Sequence, residues 1–254
     1  MEKSFEEKTA LVVGGSGGIG AEISLALAKN GASLVIHGGH KSKKFDLLEK
    51  KISEINGKKP GIIVQNLLDT CFSDLPCSEL LEAARNCDIL CLCFGPFVQK
   101  ALHETASSDW QKVALFDYAL PGLLISTALP SMMKKNWGRI LLLGGTGTSF
   151  RKEFSTNAAY AGAKSGLNVL TASVASSYAD YGITCNMICP GFTETEYLSE
   201  ELKSELSEKM PLGTMIESSS VSETALFLLK NPDVNGTVLR IDRGWQPAQK
   251  FKNF

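Results

Sequence analysis

The stretch Thr9–Gly20, TALVVGGSGGIG, with the amphipathic run Ala21–Asn30 behind it, decides the fold. Leu11, Val12 and Val13 form an apolar run of the kind buried in a parallel sheet. Gly14, Gly18 and Gly20 follow. Ile19, Ile23, Ala26 and Leu27 then recur at helical spacing until Asn30-Gly31 stops the helix. Strand, glycine turn and helix start together make a phosphate cradle. Glycine lets the backbone approach a pyrophosphate, and the free N–H groups of the first helical turn favour its negative charge. In this strand–helix context the pattern predicts a dinucleotide-binding turn, with Gly14, Ser16, Gly17, Gly18, Ile19 and Gly20 as its contacts.

The 254 residues fit one large α/β domain spanning 1–254, with ample length for a buried core. A net charge of -1 leaves no basic excess to neutralise nucleic-acid phosphates, so nucleic acid is not expected as a partner. Seven cysteines, an odd number in a chain of this size, read as reduced thiols rather than disulfides. Cys91 and Cys93 alternate along an apparent strand, and Cys185 and Cys189 read as small buried hydrophobes. Three histidines without metal-ligand spacing give no reason to expect a metal. The charged start MEKSFEEK lacks the apolar core of a signal peptide. The longest apolar run, Tyr118–Met133, contains Pro121 and Pro130 and reads as too short and broken to span a bilayer. A soluble, cytoplasmic protein with no membrane partner is expected.

Strand-like and helix-like segments alternate along the chain. Strands are predicted at Ser33–His37, Ile62–Gln65, Asp88–Phe94, Arg139–Leu143, Thr184–Ile188 and Thr237–Ile241, and helices at Lys43–Ile55, Cys77–Asn86, Asn157–Tyr178 and Val221–Leu229. A further long helix is expected to start near Ser107-Ser108-Asp109, whose side chains can cap it. Such alternation predicts a doubly wound, Rossmann-type parallel sheet of about seven strands, covered by helices on both faces.

Further segments carry a family likeness: VVGGSGGIG (Val12–Gly20), DILCLCFG (Asp88–Gly95), GRILLLGG (Gly138–Gly145), YAGAK (Tyr160–Lys164), NMICPGFTETE (Asn186–Glu196), MPLG (Met210–Gly213) and NGTVLRIDRG (Asn235–Gly244). In these motifs, their order and their spacing the chain resembles the short-chain dehydrogenases/reductases over nearly its whole length. The resemblance implies a nicotinamide cofactor, carbonyl or alcohol chemistry on a small molecule, and a homotetramer or homodimer. It also places helices Asp109–Met133 and Asn157–Tyr178 at oligomer contacts.

Tyr160 and Lys164, four residues apart, share a helix face. Carbonyl reduction needs a proton for the developing alkoxide, and a tyrosine can supply it. A free phenol has a pKa of about 10, and a neighbouring ammonium is expected to bring it toward working pH. By resemblance Lys164 also holds the nicotinamide ribose. The alternative is a solvated Tyr–Lys pair on an exposed helix face.

Three departures stand out. Gly144-Gly145 align with the family's Ser-Ser pair, which leaves Thr146 as the first and Thr148 as the second hydroxyl for a substrate carbonyl, unless both only cap the loop. Asp117 stands where the family has the asparagine of a proton relay; it accepts from a water there, or simply pairs with Lys164. Leu92-Cys93-Phe94 replace Asn-Asn-Ala before Gly95, which still suits close approach to the cofactor.

At the second strand's end, where an NAD site carries an acid, the sequence reads His37-Gly38-Gly39-His40-Lys41-Ser42-Lys43-Lys44, with no carboxylate before Asp46. Lys41, Ser42 and Lys43 suit a 2′-phosphate, so NADP is favoured and NAD stays possible; the alternative is a solvated lysine run opening a helix. Asn66 either meets adenine or closes a turn. The resemblance sets Pro190, Gly191, Thr193 and Thr195 beside the nicotinamide and makes Phe192–Met215 a substrate lid, whose acidic residues read as the solvated face of an amphipathic helix. The expected activity is an NADP-dependent carbonyl reductase or alcohol dehydrogenase. The rival, motivated by the three departures, is a regulatory dinucleotide-binding homologue without catalysis.

Overall fold

The computed structural model describes residues 4–245; Met1–Lys3 of the charged start lie outside them. In chain order the elements are β1 (Thr9–Val13), α1 (Gly18–Lys29), β2 (Ser33–Gly38), α2 (Lys43–Asn56), β3 (Gly61–Val64), α3 (Glu79–Asn86) and β4 (Ile89–Leu92). There follow α4 (Ser107–Ala114), α5 (Leu120–Lys135), β5 (Gly138–Leu143), α6 (Ala158–Tyr178), β6 (Ile183–Pro190) and β7 (Thr193–Glu194). The last are α7 (Glu200–Lys209), β8 (Ile216–Glu217), α8 (Ser218–Lys230) and β9 (Val238–Ile241). Seven strands pair in the order β3-β2-β1-β4-β5-β6-β9, all parallel. The order reverses between β1 and β4, so a crevice opens there at the strands' C-terminal ends, where open α/β sheets bind ligands.

Period-2 alternation divides the core. Leu11 and Val13 of β1 join one buried cluster with residues of α3, α5 and α6. Ala10 and Val12 join another with residues of α1, α2 and α8. The central strands β4 and β5 are buried throughout, which is why they read as unbroken apolar runs. Arg139 of β5 is tolerated there because its guanidinium donates to Leu229 O at 3.0 Å, Gly138 O at 2.8 Å and Gly182 O at 2.9 Å. Cys87, Cys91, Cys185 and Cys189 are buried, and all seven cysteines are free thiols.

Two local expectations need correction. Pro121 and Pro130 do not break their helix: α4, a π turn at Leu115–Ala119 and α5 run on from Ser107 to Lys135. Pro121 sits in the first turn of α5, where the register change of the π turn accommodates a missing N–H. By length and composition alone this run is apolar enough to cross a membrane, but half of its most apolar window is buried in the fold. At its start only Asp109 caps, accepting from Ala106 N at 3.0 Å. The fourth strand is also shorter than expected, running from Ile89 to Leu92, although Cys93 N still donates to Val13 O at 2.8 Å.

Candidate active site

The turn between β1 and α1 is built from backbone. Gly14 has φ +74, and a Cβ there would lie 2.9 Å from Phe94 N; a Cβ at Gly20 would lie 2.1 Å from Gly14 O. His37 props the turn from below. Its Nδ1 accepts from Gly14 N at 3.2 Å and its Nε2 lies 2.9 Å from Gln65 O, which assigns the Nε2–H tautomer. Burial lowers the His37 pKa and keeps the ring neutral, despite the Gln65 bond. Helix α1 starts after Gly17 with no side-chain cap of its own and no acid in its first turn. That start suits a pyrophosphate: glycines where side chains would intrude, and N–H groups seeking an acceptor. The acceptor at Gly18 N is the Glu196 carboxylate, at 3.1 and 3.2 Å.

Tyr160 and Lys164 come from the first and second turns of α6, at the C-terminal edge of β5. The Tyr160 ring lies on Gly145, where a Cβ would sit 2.9 Å from Cε1 and 3.0 Å from the phenol oxygen. Phe97 meets the ring edge-on at 4.9 Å. Lys164 is buried; its Nζ donates to Leu143 O at 3.0 Å and pairs with Asp117 Oδ1 at 3.2 Å. Asp117 lies in the π turn, fully buried, and its oxygens accept no well-aligned hydrogen bond. Burial pushes its carboxyl up to about 6 against the pull of Lys164. Gly95 roofs this pair, since a Cβ there would lie 2.2 Å from Asp117 Oδ1 and 2.8 Å from Lys164 Nζ. The pair therefore stands together as the spacing predicts, but the expected fall in the Tyr160 pKa is not seen. Burial first, then the charge of Asp117 and the thiol of Cys189, raise it, while Lys164 is engaged by Asp117. The phenol holds its proton at neutral pH.

The loop after β5 is tied by its hydroxyls. Thr146 Oγ1 donates to Pro190 O at 3.0 Å. Thr148 Oγ1 donates to Gly145 O at 2.8 Å and accepts from Gly145 N at 3.2 Å, and the Thr148 carbonyl takes Ser165 Oγ and Asn168 Nδ2 from α6 at 3.1 and 3.0 Å. Ser149 Oγ is buried without a hydrogen-bond partner. In place of the missing amides, Leu92 is core and Phe94 stacks edge-on between Phe116 and His37, each at 6.3 Å.

At the other end of the crevice, Lys41 pairs with Asp46 at 2.8 Å and Glu49 at 3.3 Å, and Ser42 caps α2 by accepting from Phe45 N at 3.2 Å. Lys43 is exposed at the first position of α2. Asn66 closes a turn, accepting from Leu68 N at 3.3 Å and donating to Asp69. Beyond β6, Gly191 packs on Asp242, and Thr193 Oγ1 donates to Gly191 O at 3.1 Å. The segment after Gly191 opens with the two-residue pairing of β7 and β8, too short to announce itself in sequence. Thr195 lies with its methyl 3.4 Å from where a Gly18 Cβ would be, and α7 has no buried residue, in keeping with a solvated acidic face. His37 and Glu196 are the participants the motif reading missed. The only signal for the latter was its place directly after Thr195 in an acidic lid.

The family model described as "Enoyl-(Acyl carrier protein) reductase" matches residues 14–246. A 3-oxoacyl-(acyl-carrier-protein) reductase, FabG, of Aquifex aeolicus is 29% identical over 96% of this chain and 99% of that protein. D-beta-hydroxybutyrate dehydrogenase of Rhizobium meliloti is 29% identical over 94% and 98%. A solved structure assigned as an NAD(P)-dependent gluconate 5-dehydrogenase of Beutenbergia cavernae, with NADP at low occupancy, superposes with a TM-score of 0.81 at 25% identity, covering 96% of this chain and 99% of that one.

Proposed function

The chain belongs to the short-chain dehydrogenase/reductase family, an oxidoreductase family that uses NAD(P), and from that premise we propose that it is an NADP-dependent reductase of a small-molecule carbonyl, with Tyr160 as general acid. One observation carries this reading: the Tyr160 phenol and the buried Lys164 ammonium stand one helical turn apart on α6, at the mouth of the crevice that the glycine turn opens. A bound nicotinamide dinucleotide supplies the hydride. Gly14, Ser16, Gly17, Gly18, Ile19 and Gly20 would hold its pyrophosphate, Gly95 and Lys164 its nicotinamide ribose, and Pro190, Gly191, Thr193 and Thr195 its carboxamide end. Tyr160 gives its proton to the carbonyl oxygen, and its raised pKa keeps that proton in place until charge develops there. Thr146 orients the carbonyl. Unlike Thr148, it is only half-buried and makes a single bond, which a substrate oxygen can replace. Asp117 holds Lys164 and sets the charge around it.

Lys43 is the side chain that best suits a 2′-phosphate, with Lys41 joining once it leaves Asp46 and Glu49, and this supports NADP over NAD. The chain is read as a cytoplasmic homodimer or homotetramer. An apolar groove of about 240 Å³ between α4 and α6, lined by Trp110, Val113, Tyr118, Ala159, Ala163 and Gly166, supports this, and light scattering tests it. Turnover of ketones and aldehydes with NADPH, including a 3-oxoacyl thioester and acetoacetate, is the direct test. No turnover of any of them, or full activity in Tyr160→Phe, sinks the mechanism. A second reading rests on Gly145 and the tied threonines: a dinucleotide-binding regulator. Calorimetry showing NADPH binding without reduction of any carbonyl would favour it.

A further inference from the structure

The lid and the phosphate cradle are already joined. Both oxygens of Glu196 accept from Gly18 N, at 3.1 and 3.2 Å, across 178 positions of sequence. Tyr197 follows with its hydroxyl 1.9 Å, and Glu196 Oε1 2.8 Å, from where a Gly17 Cβ would be, so the lid rests on bare backbone. The strap carrying them is anchored at its base. β7 pairs with β8, Ser218 Oγ donates to Glu194 O at 2.7 Å, and Lys203 pairs with Glu194 at 3.4 Å. Helix α1 meanwhile brings no cap and no acid of its own. A carboxylate at an uncapped helix start takes the place that an anionic ligand would take, with the same charge and the same donors.

We propose that Glu196 is a built-in occupant of the α1 N-terminus, a latch that holds the lid down and that a phosphate must displace. This rests on the dinucleotide reading of the crevice. The latch ties the lid to the cradle through one carboxylate on the Gly18 amide. A dinucleotide gains the Gly17–Gly18 donors only after the carboxylate withdraws, and repulsion between two anions ensures that both do not stay. The strap is short enough for this exchange to move Thr195 with it, so cofactor entry and lid position are coupled through one side chain.

The test compares wild type with Glu196→Gln and Glu196→Ala. Removing a capping carboxylate's competition should tighten NADPH binding by roughly tenfold in the alanine variant and by less in the glutamine variant, measured by NADPH fluorescence. In the absence of nucleotide, hydrogen exchange at the Gly18 amide and across 193–198 should quicken in Glu196→Ala. A third arm needs no dinucleotide: inorganic pyrophosphate titrated against protein labelled at glycine nitrogen should shift the Gly17 and Gly18 resonances at lower concentration in Glu196→Ala. Equal NADPH affinity and equal Gly18 exchange in all three proteins overturn the latch and leave the cofactor reading standing. A pyrophosphate response that sharpens in the variant, with no dinucleotide bound by any of the three, upholds the latch and sinks the cofactor reading.

Discussion

The turn after β1 and the loop after β5 are both glycine-bearing passages at the same edge of the sheet, and they use glycine to opposite ends. In the first, the lack of side chains exposes N–H donors and lets Phe94 and Gly14 O come close. In the second, the lack of a side chain at Gly145 lets the Tyr160 ring lie on the backbone, while Thr146 and Thr148 bond to backbone carbonyls. One glycine turn bares N–H donors; the other brings an aromatic ring onto the backbone and leaves the neighbouring hydroxyls tied to carbonyls.

The sharpest break of this contrast is Tyr160→Phe. It should lower kcat by roughly 10²- to 10⁴-fold with a much smaller effect on NADPH binding. Next comes Asp117. Its folded carboxyl titrates near 6, above the ordinary 3.8, so the native state holds that proton more tightly than the unfolded chain does. The resulting stabilisation is complete below about pH 4 and is lost as pH rises through about 6, on the order of 3 kcal/mol. Urea unfolding across pH 4–8 should show this slope in the wild type, and Asp117→Asn should flatten it. In the first turn, Gly20→Ala places a methyl against Gly14 O and should cost about 1–3 kcal/mol of stability, with weakened nucleotide binding, by thermal melts and titration. The smallest effects separate the two threonines. Thr146→Val should lower kcat/KM by roughly tenfold with little loss of stability. Thr148→Val should cost about 1 kcal/mol of stability through the loop, with a smaller kinetic effect. Reversed outcomes would exchange their roles.

The fold was legible because its signals are periodic. Leu11–Val13, Ile89–Leu92 and Arg139–Leu143 announce buried strands, and the glycine turn fixes which strand comes first. The Tyr160–Lys164 pair was legible for the same reason, being a spacing on one helix. What spacing does not carry is direction. The sequence left open whether Lys164 pairs with Asp117 and whether Asn66 closes a turn, and it carries no sign that Ser42 caps α2 or that the Thr146 proton points to Pro190 O. The prolines misled because Pro121 falls in the first turn of α5, just past the π turn, while α5 carries Pro130 in its interior. Glu196 was hidden by contact order, since its partner lies 178 residues away and only the folded chain brings them together.

That π turn at Leu115–Ala119 has a consequence for how this region tolerates changes of length. It is one surplus residue stored in a helix, and each residue of α-helix turns the chain by about 100°. Deleting a single neighbour of Asp117 within it would straighten the helix, yet it would swing Asp117 off Lys164 or rotate all of α5 against the sheet. The helix thus keeps two angular registers in one rod, α4 phased to the outer groove and α5 to the core, and the acid sits at the joint between them.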